Sequence, residues 1–140
     1  MERKEFVWFT ILLIIALSFN VITLTPLIPW QRWLLWSDPA PEESFLIEFD
    51  DNEITLPDQE IKINVGQYVE FVATSGDVTY GFGVFEPDGP MLFQMQVLPG
   101  RENKIIWKFD SEGVYDVRST EYSGPKHSDM FIEDAIRIVN

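Results

Sequence analysis

The chain has 140 residues, no cysteine, one histidine and a formal net charge of −13, room for one domain of about 100 residues plus an appendage. Without cysteine there is no disulfide, thiol nucleophile or iron–sulfur cluster, and a lone histidine excludes a zinc or iron site built on two or three. Seven Lys/Arg against 21 Asp/Glu follow Ser37, a net of −14 that disfavours nucleic acid, suits a water-exposed surface and permits a basic partner.

From Phe6 to Leu24 the chain carries no charge and is long enough to cross a bilayer as a helix. Its polar members are Thr10, Ser18, Asn20 and Thr23. An asparagine in hydrocarbon is tolerated best against another helix, so Asn20 points to a partner in the membrane or else lies near an interface. Pro26 and Pro29 end the helix. Trp30, Trp33 and Trp36 follow at steps of three and read as an interfacial aromatic belt. The apolar run exceeds a signal-peptide core and no small-x-small cleavage site follows it, so a retained anchor over residues 1–36 is expected. Arg3 and Lys4 precede the span and Arg32 follows it, which places the N-terminus in the cytoplasm and the acidic domain outside the cell membrane.

Residues 37–44 hold two prolines and three acids and read as an extended linker to a domain over 45–140. Strand signals then recur at short intervals. They are Phe45–Phe49, Ile61–Val65, Val69–Phe71, Phe82–Phe85, Met91–Leu98, Ile105–Phe109, Val114–Arg118 and Phe131–Val139, separated by turns such as Pro87-Asp88-Gly89-Pro90 and Pro99-Gly100. No long helical pattern follows Trp36. This spacing predicts an all-β, antiparallel sandwich or barrel. The acids Glu48, Asp50, Asp51 and Glu53 lack the spacing of an EF-hand and read as a solvated turn. Gly81-Phe82-Gly83 leads from strand to strand, not to a helix, so it is no phosphate loop. His127 has no spacing that fixes a catalytic triad.

The last two strands enclose a polar loop that contains Ser119, Ser123, His127 and Met130. That spacing resembles the Cys-x3-Cys-x3-His-x2-Met loop of cytochrome c oxidase subunit II, which holds the dinuclear copper centre CuA. Asp77-Val78-Thr79-Tyr80-Gly81-Phe82 is similar to the family's Asp-Val-x-His-Gly-Phe segment. Val97-Leu98-Pro99-Gly100 and Gly124 match family positions, and Gly113 to Ser119 resembles its Gly-x-Tyr-x-x-x-Cys approach. The likeness runs from Ile61 to Val139 and is nearest to B-type members with one membrane helix. It implies a cupredoxin-like Greek-key β-sandwich preceded by one N-terminal transmembrane helix. By that resemblance Tyr80 stands at the first histidine ligand, Ser119 and Ser123 at the bridging cysteines, and Glu121 where a backbone carbonyl is lent. Only His127 and Met130 keep their side chains. A thiol ionises near about pH 8.5 and is soft enough for Cu(I), whereas a serine hydroxyl stays protonated and hard, so it cannot bridge copper in this way.

The resemblance therefore implies a chain with no catalytic residue and no cofactor of its own. His127 is expected to be hydrogen-bonded within the loop and Met130 to pack at the strand start. The alternative is a loose mononuclear site from His127, Met130 and either Glu121 or Tyr80. The implied function is a non-catalytic subunit II of a membrane-bound haem-copper terminal reductase. It would pack on and cap subunit I, which would carry the haem and copper. Relatives lacking CuA are quinol oxidases, so quinol is the implied donor, with oxygen or nitric oxide as acceptor. Two other readings stay open: a free-standing, membrane-anchored binding module for a basic partner protein, and a copper carrier with an unusual site on His127.

Overall fold

The computed structural model describes residues 2–25, 38–87 and 89–140. The chain divides into two units, Met1–Asp38 and Pro39–Asn140, each considered by itself.

The first unit is a helix, α1, Arg3–Leu24. It opens with a capping box in which the Glu2 N–H donates to the Glu5 carboxylate at 2.8 Å. It stops at Leu24 because Thr25, next to Pro26, is pushed to extended dihedrals (φ −103°, ψ 151°). Apolar side chains stand exposed all round it, and it is long and apolar enough to cross a membrane. Its polar groups fold back on the helix. Thr10 Oγ1 donates to the Phe6 carbonyl, Thr23 Oγ1 to Phe19, and Asn20 Nδ2 to Ala16 at 2.8 Å. One N–H of the Asn20 amide is thus bonded within its own helix. Pro26, Pro29, Trp30, Arg32, Trp33 and Trp36 lie outside the described residues.

Among the described residues the second unit has nine strands: β1 Glu43–Asp50, β2 Glu53–Thr55, β3 Ile61–Asn64, β4 Tyr68–Ser75, β5 Tyr80–Phe85, β6 Met91–Val97, β7 Asn103–Lys108, β8 Gly113–Ser119 and β9 Phe131–Val139. They form a sandwich of two sheets, ordered β2-β1-β4-β7 and β3-β9-β8-β5-β6. The sheets are not purely antiparallel as the strand spacing predicts: β1 pairs with β4, and β3 with β9, in parallel. Alternation of apolar residues fixes which face is buried, not strand direction. A parallel pair needs a crossover, and residues 51–67 provide one by passing through β3 in the other sheet. The expected linker is also shorter than residues 37–44. Glu43 and Ser44 already pair with Val69 and Glu70, and the Glu42 N–H donates to the Tyr68 carbonyl at 2.8 Å. The acidic stretch read as a turn is the tip of a β1–β2 hairpin.

Inward-facing residues of both sheets form the core, among them Ile47, Phe49, Val69, Phe71, Phe82, Val84, Phe93, Val117 and Ile136. Phe71 sits amid Phe45, Phe82 and Phe93, with ring centroids 6.0, 5.4 and 5.8 Å away. β5 lies between β8 and β6 and is buried along all but its last residue. Its glycines admit a neighbouring side chain: a Cβ on Gly81 would lie 1.9 Å from Thr120 Oγ1, and one on Gly83 2.5 Å from Thr120 Cγ2. They let the start of the 119–130 loop lie flat on the sheet. Where β8 meets β9 the register slips between Tyr115 and Val117, and Asp134 adopts φ 50°. The buried Asp116 carboxylate accepts the Asp134 N–H at 3.0 Å and holds this irregularity in place.

Replacing Phe71 with alanine is expected to cost about 3–5 kcal/mol, read as a lowered denaturant midpoint of the full chain in detergent. An unchanged midpoint would show that the aromatic cluster is not the core.

Candidate functional site at the 119–130 loop

Three segments meet at one end of the sandwich. The first is the two-residue β1–β2 turn, where Asp51 and Asn52 both have positive φ (45° and 61°), as a type I′ hairpin requires. The second runs from Asp77 into β5 at Tyr80. The third is the loop after β8, which contains a short 3-10 turn, Pro125–Asp129. Backbone bonds shape the loop: the His127 N–H donates to the Gly124 carbonyl, Met130 to His127, Ser119 to Met130, and Thr120 to Gly81.

Tyr80 is fully buried and stacks on Phe49 with centroids 5.4 Å apart. Its hydroxyl donates to Asp77 Oδ2 at 2.9 Å and accepts the Asn52 N–H at 3.1 Å. Ser123 Oγ donates to Asn52 Oδ1 at 2.8 Å and lies 3.4 Å from Met130 Sδ. Met130 is 3% exposed and packs in the core just before β9. Ser119 is buried, with its hydroxyl 3.4 Å from the Glu121 carbonyl and 3.5 Å from the Gly81 N–H, two long contacts. The Glu121 side chain is exposed. His127 departs from expectation. Only its backbone is hydrogen-bonded in the loop; its ring Nδ1 is buried with no partner among the described residues. The ring packs beside Tyr122, centroids 5.8 Å apart.

The structure thus joins Tyr80 to Ser123 through Asn52, joins Ser123 to Met130, and leaves His127 to one side. Asn52 and Asp77 are the members that sequence reasoning missed. The legible signal was Asp51-Asn52 ahead of Glu53-Ile54-Thr55, a pair of residue types that tolerate left-handed dihedrals.

Burial pushes the Tyr80 phenol above its ordinary 10.0; the Asn52 N–H opposes this and the Asp77 carboxylate adds to it. Tyr80 therefore stays protonated and neutral near pH 7. Desolvation pushes Asp77 up, but hydrogen bonds from Val78, Tyr80, Asp51 and Ser75 outweigh it, and its carboxyl lies below 3.8. Ser75 Oγ also donates to the Val78 carbonyl, which tightens the turn.

These residues do not fit a dinuclear copper–thiolate centre. The chain has no cysteine, the Tyr80 and Ser123 hydroxyls are bonded to Asp77 and Asn52, and a neutral phenol is a poor ligand. No group of three or more His, Cys, Asp or Glu side chains suited to a metal occurs among the described residues. The loose mononuclear alternative loses Tyr80, whose phenol is turned to Asp77 and Asn52.

Two sheets in this arrangement, closed at one end by a loop between the last two strands, define a cupredoxin-like domain. The chain has this fold in common with a chain of a heme-copper terminal oxidase dimer solved by cryo-electron microscopy (22% identity, TM-score 0.59, 98% of this chain and 100% of that one). It is similar as well to the periplasmic domain of cytochrome oxidase subunit II, CoxB, of Bradyrhizobium japonicum (21%, TM-score 0.57, 74% and 88%) and to auracyanin B (10%, TM-score 0.58, 74% and 94%). Residues 41–137 match the family described as cytochrome c oxidase subunit II, periplasmic domain, and the chain belongs to that family. Two relatives, each a cytochrome c oxidase subunit 2 of Thermus thermophilus, are 28% identical over 105 residues, 69% of this chain. The match spans 73% of one relative and 58% of the other, so the chain covers little more than half of the second.

A double-mutant cycle on Asn52→Ala and Ser123→Ala is expected to give a coupling of about 0.5–1.5 kcal/mol by denaturation. Strict additivity would mean that the link is not formed. Because the folded Asp77 carboxyl lies below its unfolded value of 3.8, its stabilisation is fully present above about pH 4 and is lost as pH falls through the lower folded value. Asp77→Asn is therefore expected to flatten the loss of stability on acidification; an unchanged acid limb would refute this assignment.

Proposed function

We propose that this chain is the second subunit of a membrane-bound haem-copper terminal reductase and has no CuA centre of its own. In this reading α1 anchors the chain in the membrane, and the acidic domain lies outside the cytoplasm. There it covers the haem-bearing subunit I and shields it from water. Electrons reach subunit I without passing through this domain; quinol delivers them in the membrane part, and oxygen or nitric oxide accepts them. The observation that carries the reading is the Tyr80–Asn52–Ser123 link, formed in a subunit II chain that has no cysteine. Of the positions that the resemblance assigns to ligands, Tyr80 and Ser123 are both bonded to Asn52 instead.

A second reading is a free-standing anchored module for a basic partner protein. It is supported by the net charge of −14 after Ser37.

Gentle detergent purification through this chain, followed by an absorption spectrum and metal analysis, separates the two. The first reading expects haem bands, a co-purifying large membrane subunit, and quinol-driven consumption of oxygen or nitric oxide. A colourless single chain would leave only the second. The positional reading has its own check. The triple variant Tyr80→His, Ser119→Cys, Ser123→Cys is expected to take up copper and absorb visible light through thiolate-to-copper charge transfer. The two cysteine substitutions alone are expected to bind copper more weakly, since Tyr80 stays turned to Asn52. A colourless triple variant would reject the assignment of these positions.

A further inference from the structure

Arg118 lies near the end of β8, paired with Phe131 of β9 and Gly83 of β5. Its guanidinium carbon is 4.9 Å from the ring centre of Phe85 and 4.6 Å from that of Phe131, two cation–π contacts. The residue is nonetheless exposed, as is Phe131. No carboxylate among the described residues lies within ion-pair distance of Arg118, although Lys104, Lys108 and Arg137 all have one. Asp116, two residues earlier, is buried and engaged with the Asp134 N–H. Lys62, Arg101 and Lys126 likewise have no ion pair among the described residues, so it is the pair of aromatic contacts that sets Arg118 apart. Phe85 and Phe131 hold its guanidinium, so part of its conformational entropy is already spent, and its N–H groups have no hydrogen-bond partner among the described residues.

We propose that Arg118 anchors a protein–protein interface by taking a carboxylate of the partner on its guanidinium edge, with Phe85 and Phe131 as the apolar rim. A planar guanidinium matches a carboxylate through two parallel N–H···O bonds. A held arginine beside aromatic rings is the composition that dominates interface energetics. Beside it Thr120 and Phe85 cover Gly83, and the neutral Gln94 follows across the sheet. Charge selects the kind of partner. The net of −14 after Ser37 repels an anionic bilayer or a polyphosphate well beyond contact, whereas a single acid on an otherwise neutral or basic protein face escapes that penalty. The partner is the haem-bearing subunit of the proposed complex, so the inference rests on that reading for the partner's identity.

The test is arginine footprinting with phenylglyoxal, read by mass spectrometry, on the intact complex and on the full chain expressed alone in detergent. Arg118 is expected to react about tenfold more slowly in the complex, as for a buried interfacial ion pair, while the exposed Arg101 reacts equally in both. Equal reactivity of Arg118 in an intact complex overturns this contact and leaves the proposed function standing. A chain that purifies without a partner overturns both. Protection of the isolated chain by vesicles containing phosphatidylglycerol would assign the edge to lipid phosphate and likewise overturn the proposal. Arg118→Lys keeps the charge but loses the planar fork, and it is expected to release the partner at lower salt; unchanged salt resistance would count against the two-bond geometry.

Discussion

In a two-residue hairpin the N–H groups of the turn residues have no place in the ladder, and buried or half-buried donors must be satisfied elsewhere. Here the Asp51 N–H goes to Asp77 and the Asn52 N–H to Tyr80. Both acceptors come from the segment that opens β5, in the opposite sheet. The turn therefore fastens one sheet to the other. Through its own side chain Asn52 then reaches Ser123, and so ties the loop after β8 to the same point. Left-handed dihedrals at Asp51 and Asn52 cost energy for residues other than glycine; the three segments that converge there offset that cost.

This junction also accounts for the opposite behaviour of two neighbouring ionisable groups. Asp77 collects donors and is held anionic, while Tyr80, buried beside that anion, is held neutral. A phenol and a carboxylate bonded in this way resist charge change from opposite sides of the pH scale. The loop itself is fixed mainly by backbone bonds and by Met130 in the core, which leaves His127 with a buried ring nitrogen outside the network.

Much of the fold was legible because burial writes a period of two into a strand. The apolar runs around Ile61–Val65, Val114–Arg118 and Phe131–Val139 all became strands close to their expected limits. The parallel pairings were not legible, since alternation has no direction, and β2 was hidden because Glu53-Ile54-Thr55 has one apolar residue and two exposed ones. At the loop, residue types and spacing marked Tyr80, Ser119, Ser123, His127 and Met130. They did not reveal that Tyr80 and Ser123 meet through Asn52, which lies 28 and 71 positions away from them. A contact of that separation is set by topology, not by local pattern.

The hydroxyl of Tyr80 has a consequence for how this sequence can drift over generations. A shorter side chain there cannot reach both Asp77 and Asn52, and it opens a void against Phe49. A cysteine at Ser123 surrenders the bond to Asn52. A first step at Tyr80 or Ser123 thus lowers stability before any ligand set is complete enough to repay it. At these two positions the arrangement works as a ratchet, since the present side chains are held by bonds that a metal ligand would have to break first.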